Sequence, residues 1–276
     1  MSDRILFESH SHTPLCMHAN GEPTEYAAVA QQRGLKGLII TCHNPMANQF
    51  SARVRMRENQ FDEYVDLVDR TRQEWEGRVD VRLGIEADYF EGHEAYLEKQ
   101  LQSADFHFVL GSVHPQIDEF REKYWLDDLH EVQRIYFRLL AQSAETGLFD
   151  SLAHPDLIKN FTSKMWQPEV IMDDICAALD RIAATGVAME INTSGVNKTI
   201  SEMNPFPGML VEMQKRGIPI TLGADAHDPS RVADGYETAM ELLKECGFTH
   251  VNYFTNRERQ EVEINAAIAS LVTPVA

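Results

Sequence analysis

Ile5-Leu6-Phe7-Glu8-Ser9-His10-Ser11-His12-Thr13-Pro14 is the stretch on which the fold turns. Ile5–Glu8 is a short apolar run suited to a buried strand, and the residues that follow it contain no glycine. An open, doubly wound nucleotide-binding sheet needs a glycine-rich turn at that point, where backbone approaches phosphate. Its absence makes the open sheet the second choice. A barrel instead carries its functional side chains on the loops after its strands. Two histidines at i and i+2 of an extended segment point the same way and can grip one ion.

Outward from this stretch the pattern repeats. The runs Gly37–Thr41, Val81–Ile85, Phe106–Gly111, Ser151–Ala153, Val187–Ile191, Ile218–Leu222 and Val251–Phe254 alternate with amphipathic stretches. One helix is predicted from about Thr24 to Arg33, stopped by Gly34. A second starts at Pro168, shows Ile171, Ile175, Leu179 and Ile182 at helical spacing, and stops at Gly186; a third ends at Gly217. Seven or eight strand–helix repeats in 276 residues predict parallel strands closed into one α/β barrel domain. That domain spans residues 1–276, with the last few residues read as a disordered tail.

Composition sets outer bounds. Apolar residues make up 43% of the chain, enough for a sizeable core. No segment approaches the roughly 20 apolar residues of a membrane span. The start, Met1-Ser2-Asp3-Arg4, lacks the apolar core of a signal peptide, so a cytoplasmic protein without membrane contact is expected. Cys16, Cys42, Cys176 and Cys246 form no C-x-x-C pair, which suits a reducing compartment. Cys16 and Cys42, beside His18 and His43, are read as small packing residues rather than ligands. A net charge of −18 argues against a general nucleic-acid surface and leaves nucleic acid only as a short substrate. A small anionic substrate stays compatible, because bound divalent cations dominate the field inside a pocket. Oligomeric state is open, and a homo-oligomer is compatible with the sequence.

Seven of the eleven histidines follow a predicted strand. His10 and His12 follow the first, with His18 shortly after; His43, His114, His154 and His227 close later ones. Glu86 and Asp225 fall in the same register. In a barrel all of these open on one C-terminal face. Neutral imidazole and carboxylate donors suit Zn, Mn or Fe, so two or three divalent transition-metal ions are expected. His93, His107, His130 and His250, on predicted helices or at strand starts, are read as structural. Trp75, Trp125 and Trp166 are read as core or rim aromatics, Arg53–Arg57 as a solvated loop, and Asp127-Asp128 and Asp173-Asp174 as solvated first-turn acids.

The pattern resembles the PHP (polymerase and histidinol phosphatase) superfamily, and specifically its histidinol-phosphatase branch. The resemblance rests on His10-Ser-His-Thr-Pro-Leu-Cys-Met-His18-Ala, His43-Asn-Pro-Met, Gly84-Ile-Glu-Ala-Asp-Tyr and Gly111-Ser-Val-His. It continues in Gly147-Leu-Phe-Asp-Ser-Leu-Ala-His-Pro-Asp-Leu-Ile-Lys, Glu190-Ile-Asn-Thr-Ser-Gly and Gly217-Ile-Pro-Ile-Thr-Leu-Gly-Ala-Asp-Ala-His. It implies a distorted (β/α)7 barrel of the TIM type with a trinuclear site. One ion would take His10, His12, Glu86 and Asp225; a second Glu86, His114 and His154; a third His18, His43 and His227.

The expected activity is hydrolysis of histidinol phosphate or a related small phosphomonoester by attack of a metal-bridging hydroxide. Asp225, His154 and His227 are the candidates to protonate the leaving alkoxide. The chain departs from the family's pattern at three places. Glu8 and Cys42 stand where aspartates are usual. Asn197 and Lys198 stand where an arginine grips the substrate phosphate. Lys198, Asn197, Lys159 and Arg231 are the candidate substrate contacts.

Three alternatives stay open. They are a phosphodiesterase on nucleotides or short oligonucleotides, an amidohydrolase-type deaminase or amidase, and a non-catalytic metal-binding regulatory domain. The second commonly needs a lysine or equivalent bridging ligand on the fourth strand, where this chain has Val109-Leu-Gly-Ser-Val-His114.

Overall fold

The apolar runs form strands covered on both faces, as parallel strands flanked by helices must be. In the computed structural model, which describes residues 4–272, they are β1 (Phe7–Glu8), β2 (Gly37–Ile40), β3 (Asp80–Asp88), β4 (Phe108–Ser112), β5 (Ser151–Leu152), β6 (Ala188–Asn192), β7 (Ile220–Gly223) and β8 (His250–Thr255). The expected tail falls largely on residues 273–276, outside the described ones. A further strand, β9 (Glu258–Glu263), pairs antiparallel with β8. Its sequence, Glu-Arg-Gln-Glu-Val-Glu, buries only Val262, so it carries no apolar signal.

Each strand is bonded to the next in chain order, in parallel from β1 to β8. The ring closes at its C-terminal end, where Ser11 bridges to Ala226. There the His12 N–H donates to the Ala226 carbonyl at 2.9 Å, and the Ala226 N–H donates to the His10 carbonyl at 3.0 Å. Seven strands therefore make the barrel. β8 joins β7 at a single register position, Thr221 opposite Asn252, and stacks Tyr253 on Phe7 and Phe254 on Phe108. Phe7, Ile39, Phe108, Leu110, Ala153, Ala188 and Phe254 form one apolar cluster drawn from six strands and their ends, filling the inside of the barrel. Gly37 is required here, because a Cβ on it would collide with the Phe7 ring.

The helices are α1 (Pro23–Gln32), α2 (Phe61–Glu74), α3 (Glu94–Leu101), α4 (Asp118–Tyr124), α5 (Leu129–Glu145), α6 (Met172–Thr185), α7 (Pro207–Lys215), α8 (Tyr236–Glu245) and α9 (Ile264–Ser270). α1 matches its expected span closely, and α7 ends at Lys215, two residues before the expected stop at Gly217. The helix expected from Pro168 divides. Pro168–Val170 is one 3-10 turn, and buried Ile171 at φ −118° redirects the chain before α6 begins. α6 then stops at Gly186, whose φ of 76° suits only glycine well. Asp128 is the N-cap of α5 and accepts from the His130 and Glu131 N–H groups. No helix among the described residues is long and apolar enough to cross a membrane.

Candidate metal centre

The first ligand segment is fixed by its backbone. Glu8, fully buried at the end of β1, accepts from the N–H groups of His10 (3.0 Å), Ala224 (3.0 Å) and Ala233 (2.8 Å). It therefore ties the residues after β1 to those after β7. Burial pushes its carboxyl up to about 7, and the three backbone donors offset only part of that cost. Glu8 thus holds the ligand strand and not a ligand ring.

Glu190, on β6, holds the ring of His10. Its Oε1 lies 2.7 Å from His10 Nδ1, and its Oε2 accepts from the His154 N–H at 2.8 Å and from Asn192 Nδ2 at 2.9 Å. Gly223 makes room for it, since a Cβ there would sit on the Glu190 carboxylate. Asp88, two residues past Glu86 on β3, does the same for His114, with Oδ1 2.7 Å from Nδ1. Asp88 is in turn paired with buried Arg55. Arg55 also donates to the Asn44 carbonyl at 2.8 Å. The expectation of a solvated Arg53–Arg57 loop is therefore corrected at Arg55, which is 2% exposed because its charge is spent on Asp88. Glu190 and Asp88 were not singled out from sequence. Their signal was a carboxylate at the C-terminal end of a strand, and Asp88 also shares the face of Glu86 at spacing two.

Glu86 stands at the middle. Its Oε1 faces His154 Nε2 (3.0 Å) and His114 Nε2 (3.4 Å). Its Oε2 faces His43 Nδ1 (2.7 Å), His10 Nε2 (3.5 Å) and His12 Nε2 (3.7 Å). Asp225 Oδ1 faces His12 Nε2 (3.2 Å) and His10 Nε2 (3.5 Å), while Oδ2 accepts from Ser194 Oγ at 3.0 Å. Burial works to raise both carboxyls. The surrounding imidazoles, joined by Lys198 in the case of Asp225, outweigh it and hold both well below the ordinary range. His154 and Asp225 have φ of 28° and 50°, a left-handed geometry that costs about 1–3 kcal/mol each and recurs at functional sites.

The tautomers follow from the acceptors. Carboxylates and carbonyls can only accept, so Nδ1 carries the proton in His10 and His114, in His18 (2.7 Å from the Cys16 carbonyl) and in His227 (3.0 Å from the Asp225 carbonyl). Each Nε2 is then a bare lone pair. His18 Nε2 and His227 Nε2 stand 2.9 Å apart, two lone pairs that repel unless a cation lies between them. Glu86 Oε2, His10 Nε2 and both ring nitrogens of His12 are buried without a hydrogen-bond partner. Such atoms are costly unless an ion takes them. The donor set therefore fits divalent transition-metal ions. All nine expected ligands converge here. The close three-donor groups include His10–His12–Glu86, His43–Glu86–His114 and His12–His43–His227, so His43 stands between Glu86 and the outer pair.

A cleft of about 870 Å³ opens over these side chains, with Asn197, Lys198 and Arg231 on its wall. Lys198 Nζ lies 3.5 Å from Asp225 Oδ2, and Arg231 pairs with Asp234 at 2.7 Å. Lys159 is a correction. Its ammonium is buried against Asp156 (3.0 Å), Glu202 (3.1 Å) and the Met203 carbonyl (2.7 Å), which use all three donors. It has none left for a phosphate. Cys16 and Cys42 are fully buried, and their sulfurs and a ring nitrogen of His12 lie within 4.8 Å of one another.

The family model of the PHP domain matches residues 8–194. A probable histidinol-phosphatase of Deinococcus radiodurans is 39% identical over 92% of this chain and 98% of its own length. The histidinol-phosphatase of Bacillus subtilis is 24% identical over 85% of this chain and 98% of its own. Among solved structures, histidinol phosphate phosphatase of Lactococcus lactis, complexed with zinc, L-histidinol and phosphate, superposes with a TM-score of 0.78. It is 21% identical and covers 92% of this chain and 98% of its own.

Proposed function

The chain belongs to the PHP family and is a metal-dependent phosphatase, and from that premise we propose that it cleaves a small phosphate monoester, histidinol phosphate or a close relative. The observation that carries this reading is Glu86. One buried carboxylate has imidazoles facing both of its oxygens, at the floor of a cleft whose wall bears Lys198 and Arg231. Ions held by these residues would supply Lewis acidity to phosphate oxygens and lower the pKa of a bound water. The names of the relatives, and the ligands in the Lactococcus structure, support histidinol phosphate as the substrate.

The chain's own groups then divide the work. Lys198, a point charge, and Arg231 meet the phosphate where Asn197 offers only an uncharged amide. Asp225 is held ionised and cannot give up a proton. His227 spends its Nδ1–H on a carbonyl and turns Nε2 to His18. The remaining candidate to protonate the leaving alkoxide is His154: burial holds its ring neutral with Nε2 on Glu86, so it would first take up a proton at the unpartnered Nδ1 and then give that proton to the alkoxide.

The test is turnover by protein loaded with zinc, manganese or iron against histidinol phosphate, p-nitrophenyl phosphate, a bis-ester and simple amides. Phosphate release from the monoesters is expected. Turnover confined to the bis-ester would move the reading to a phosphodiesterase, and turnover confined to amides to an amidohydrolase. No turnover by fully metallated protein would favour a non-catalytic domain.

A further inference from the structure

We propose that Lys159 is a positioning residue: its buried ammonium fixes the loop that carries Lys198 at the cleft, and thereby sets the affinity for the phosphate group. The inference deepens the phosphatase reading and rests on Lys198 as a phosphate contact. Two segments meet on this part of the cleft wall. One is the 3-10 turn Leu157–Asn160, shortly after His154; the other is the connection from β6 to α7, which brings Asn197, Lys198 and Thr199 to the cleft.

The two ends of that connection are held by different means. Near β6 it is tied to its own surroundings. Ser194 donates through its N–H and Oγ to Asn192 Oδ1, and Thr193 Oγ1 donates to the Asp234 carbonyl at 2.6 Å. Past Lys198 it rests on the 3-10 turn. The Ile200 N–H donates to Asn160 Oδ1 at 2.9 Å, and Lys159 Nζ reaches both Glu202 Oε2 (3.1 Å) and the Met203 carbonyl (2.7 Å). The third Lys159 donor goes to Asp156, which also accepts from Asn204 Nδ2 and from the Phe206 N–H. One side chain therefore joins its own turn to the far end of the loop.

Packing alone does not account for this arrangement. Lys159 and Asp156 are fully buried, and a buried ion pair holds a core no better than apolar side chains of similar volume. What the pair adds is direction, because three acceptors, two of them on the loop, admit one placement of that loop. The ligand end of the turn does not depend on Lys159. His154 is held at its N–H by Glu190, at its carbonyl by Tyr136 Oη (3.3 Å) and at Nε2 by Glu86. Loss of Lys159 thus frees Lys198 and leaves the ligands in place. A freed loop must be ordered each time phosphate binds, which weakens binding and spares the turnover of bound substrate.

The experiment is a double-mutant cycle on the full-length, metal-loaded protein. KM and kcat for p-nitrophenyl phosphate are measured beside the Kd for inorganic phosphate, at matched metal content. Lys159→Met should raise KM and Kd about tenfold, with kcat within about threefold. Glu202 is 36% exposed, so Glu202→Ala strands no buried charge and serves where Lys159→Met does not fold. It should raise both constants about threefold. In a Lys198→Ala background both effects should vanish, because the loop then carries no charge to place. Effects that persist undiminished in that background overturn the proposal, and so does a fall in kcat or metal content with KM and Kd unchanged. A protein that hydrolyses no ester would sink the phosphatase reading, and the cycle on phosphate Kd would still decide the role of Lys159.

Discussion

Glu190 Oε1 stands 2.7 Å from His10 Nδ1 with both groups buried, so one carboxylate sets the tautomer of a ligand that lies 180 residues away in sequence. In Glu190→Gln the amide no longer dictates that tautomer, and the same side chain loses its charge-assisted grip on the His154 N–H. Metal affinity is expected to fall by about 10–100-fold with the fold intact. Competition against a graded set of chelators measures it. Wild-type retention of metal would show that His10 needs no such partner.

Glu86 faces five imidazoles, and its replacement acts on the ions themselves. Glu86→Gln removes the one charge that faces both sides of the centre. It should lose at least one ion per chain and most of the phosphatase activity. Metal analysis beside a phosphate-release assay reads both. Full activity at unchanged metal content would dismantle the site.

The role given to His154 predicts a dependence on the leaving group. An alkoxide leaving group needs a proton, whereas p-nitrophenolate leaves readily without one. His154→Asn should slow hydrolysis of an alkyl phosphate by about 10²–10⁴-fold, and that of p-nitrophenyl phosphate by much less, at matched metal loading. Equal losses on both substrates would reduce His154 to a metal ligand.

Arg55 is an example of a charge that becomes expensive once its partner is gone. Arg55→Ala strands Asp88, which is 1% exposed, and removes the donor to the Asn44 carbonyl. A loss of about 3–5 kcal/mol is expected in urea unfolding. Weaker metal binding through His114 should accompany it. A loss under 1 kcal/mol would mean that water replaces the guanidinium.

Asp150 offers a pH test far from the ions. It accepts from the Val109 N–H at 2.8 Å and from Arg257 Nε at 2.5 Å, pinning the β8–β9 turn to the N-terminal end of the barrel strands. Burial raises its carboxyl above the ordinary value, although Arg257 pulls the other way. The folded chain therefore holds this proton more tightly than the unfolded chain does. Stability from Asp150 is greatest below the ordinary carboxyl value and declines as pH rises through the raised one. Asp150→Asn does not titrate, so the stability difference, wild type minus variant, should shrink across that window. A flat difference would show an unshifted carboxyl.

The metal ligands were legible because barrel strands all end on one face. A histidine just past an apolar run is thus placed by its register alone, as with His43, His114 and His154. The groups that orient those ligands were harder to read. Glu190 and Asp88 are ordinary strand carboxylates until the ring they face is known. Arg55 lies in a polar stretch that reads as solvated, and only the path of the loop after β2 brings it under Asp88. Lys159 went wrong for the converse reason. Its place after His154 suggested the cleft, but Asp156 and Glu202 draw its ammonium inward. β9 is an edge strand held mainly by backbone bonds to β8, so its side chains announce nothing.

The bridge between Ser11 and Ala226 gives the protein an order of events in time. A chain still emerging from the ribosome carries His10, His12 and Glu86 long before Asp225 and His227 exist. Until Ala226 arrives, the first segment has no edge to close against, and the donors stay apart. The complete donor set is thus assembled only when the chain beyond β7 has been made and has closed against the first segment.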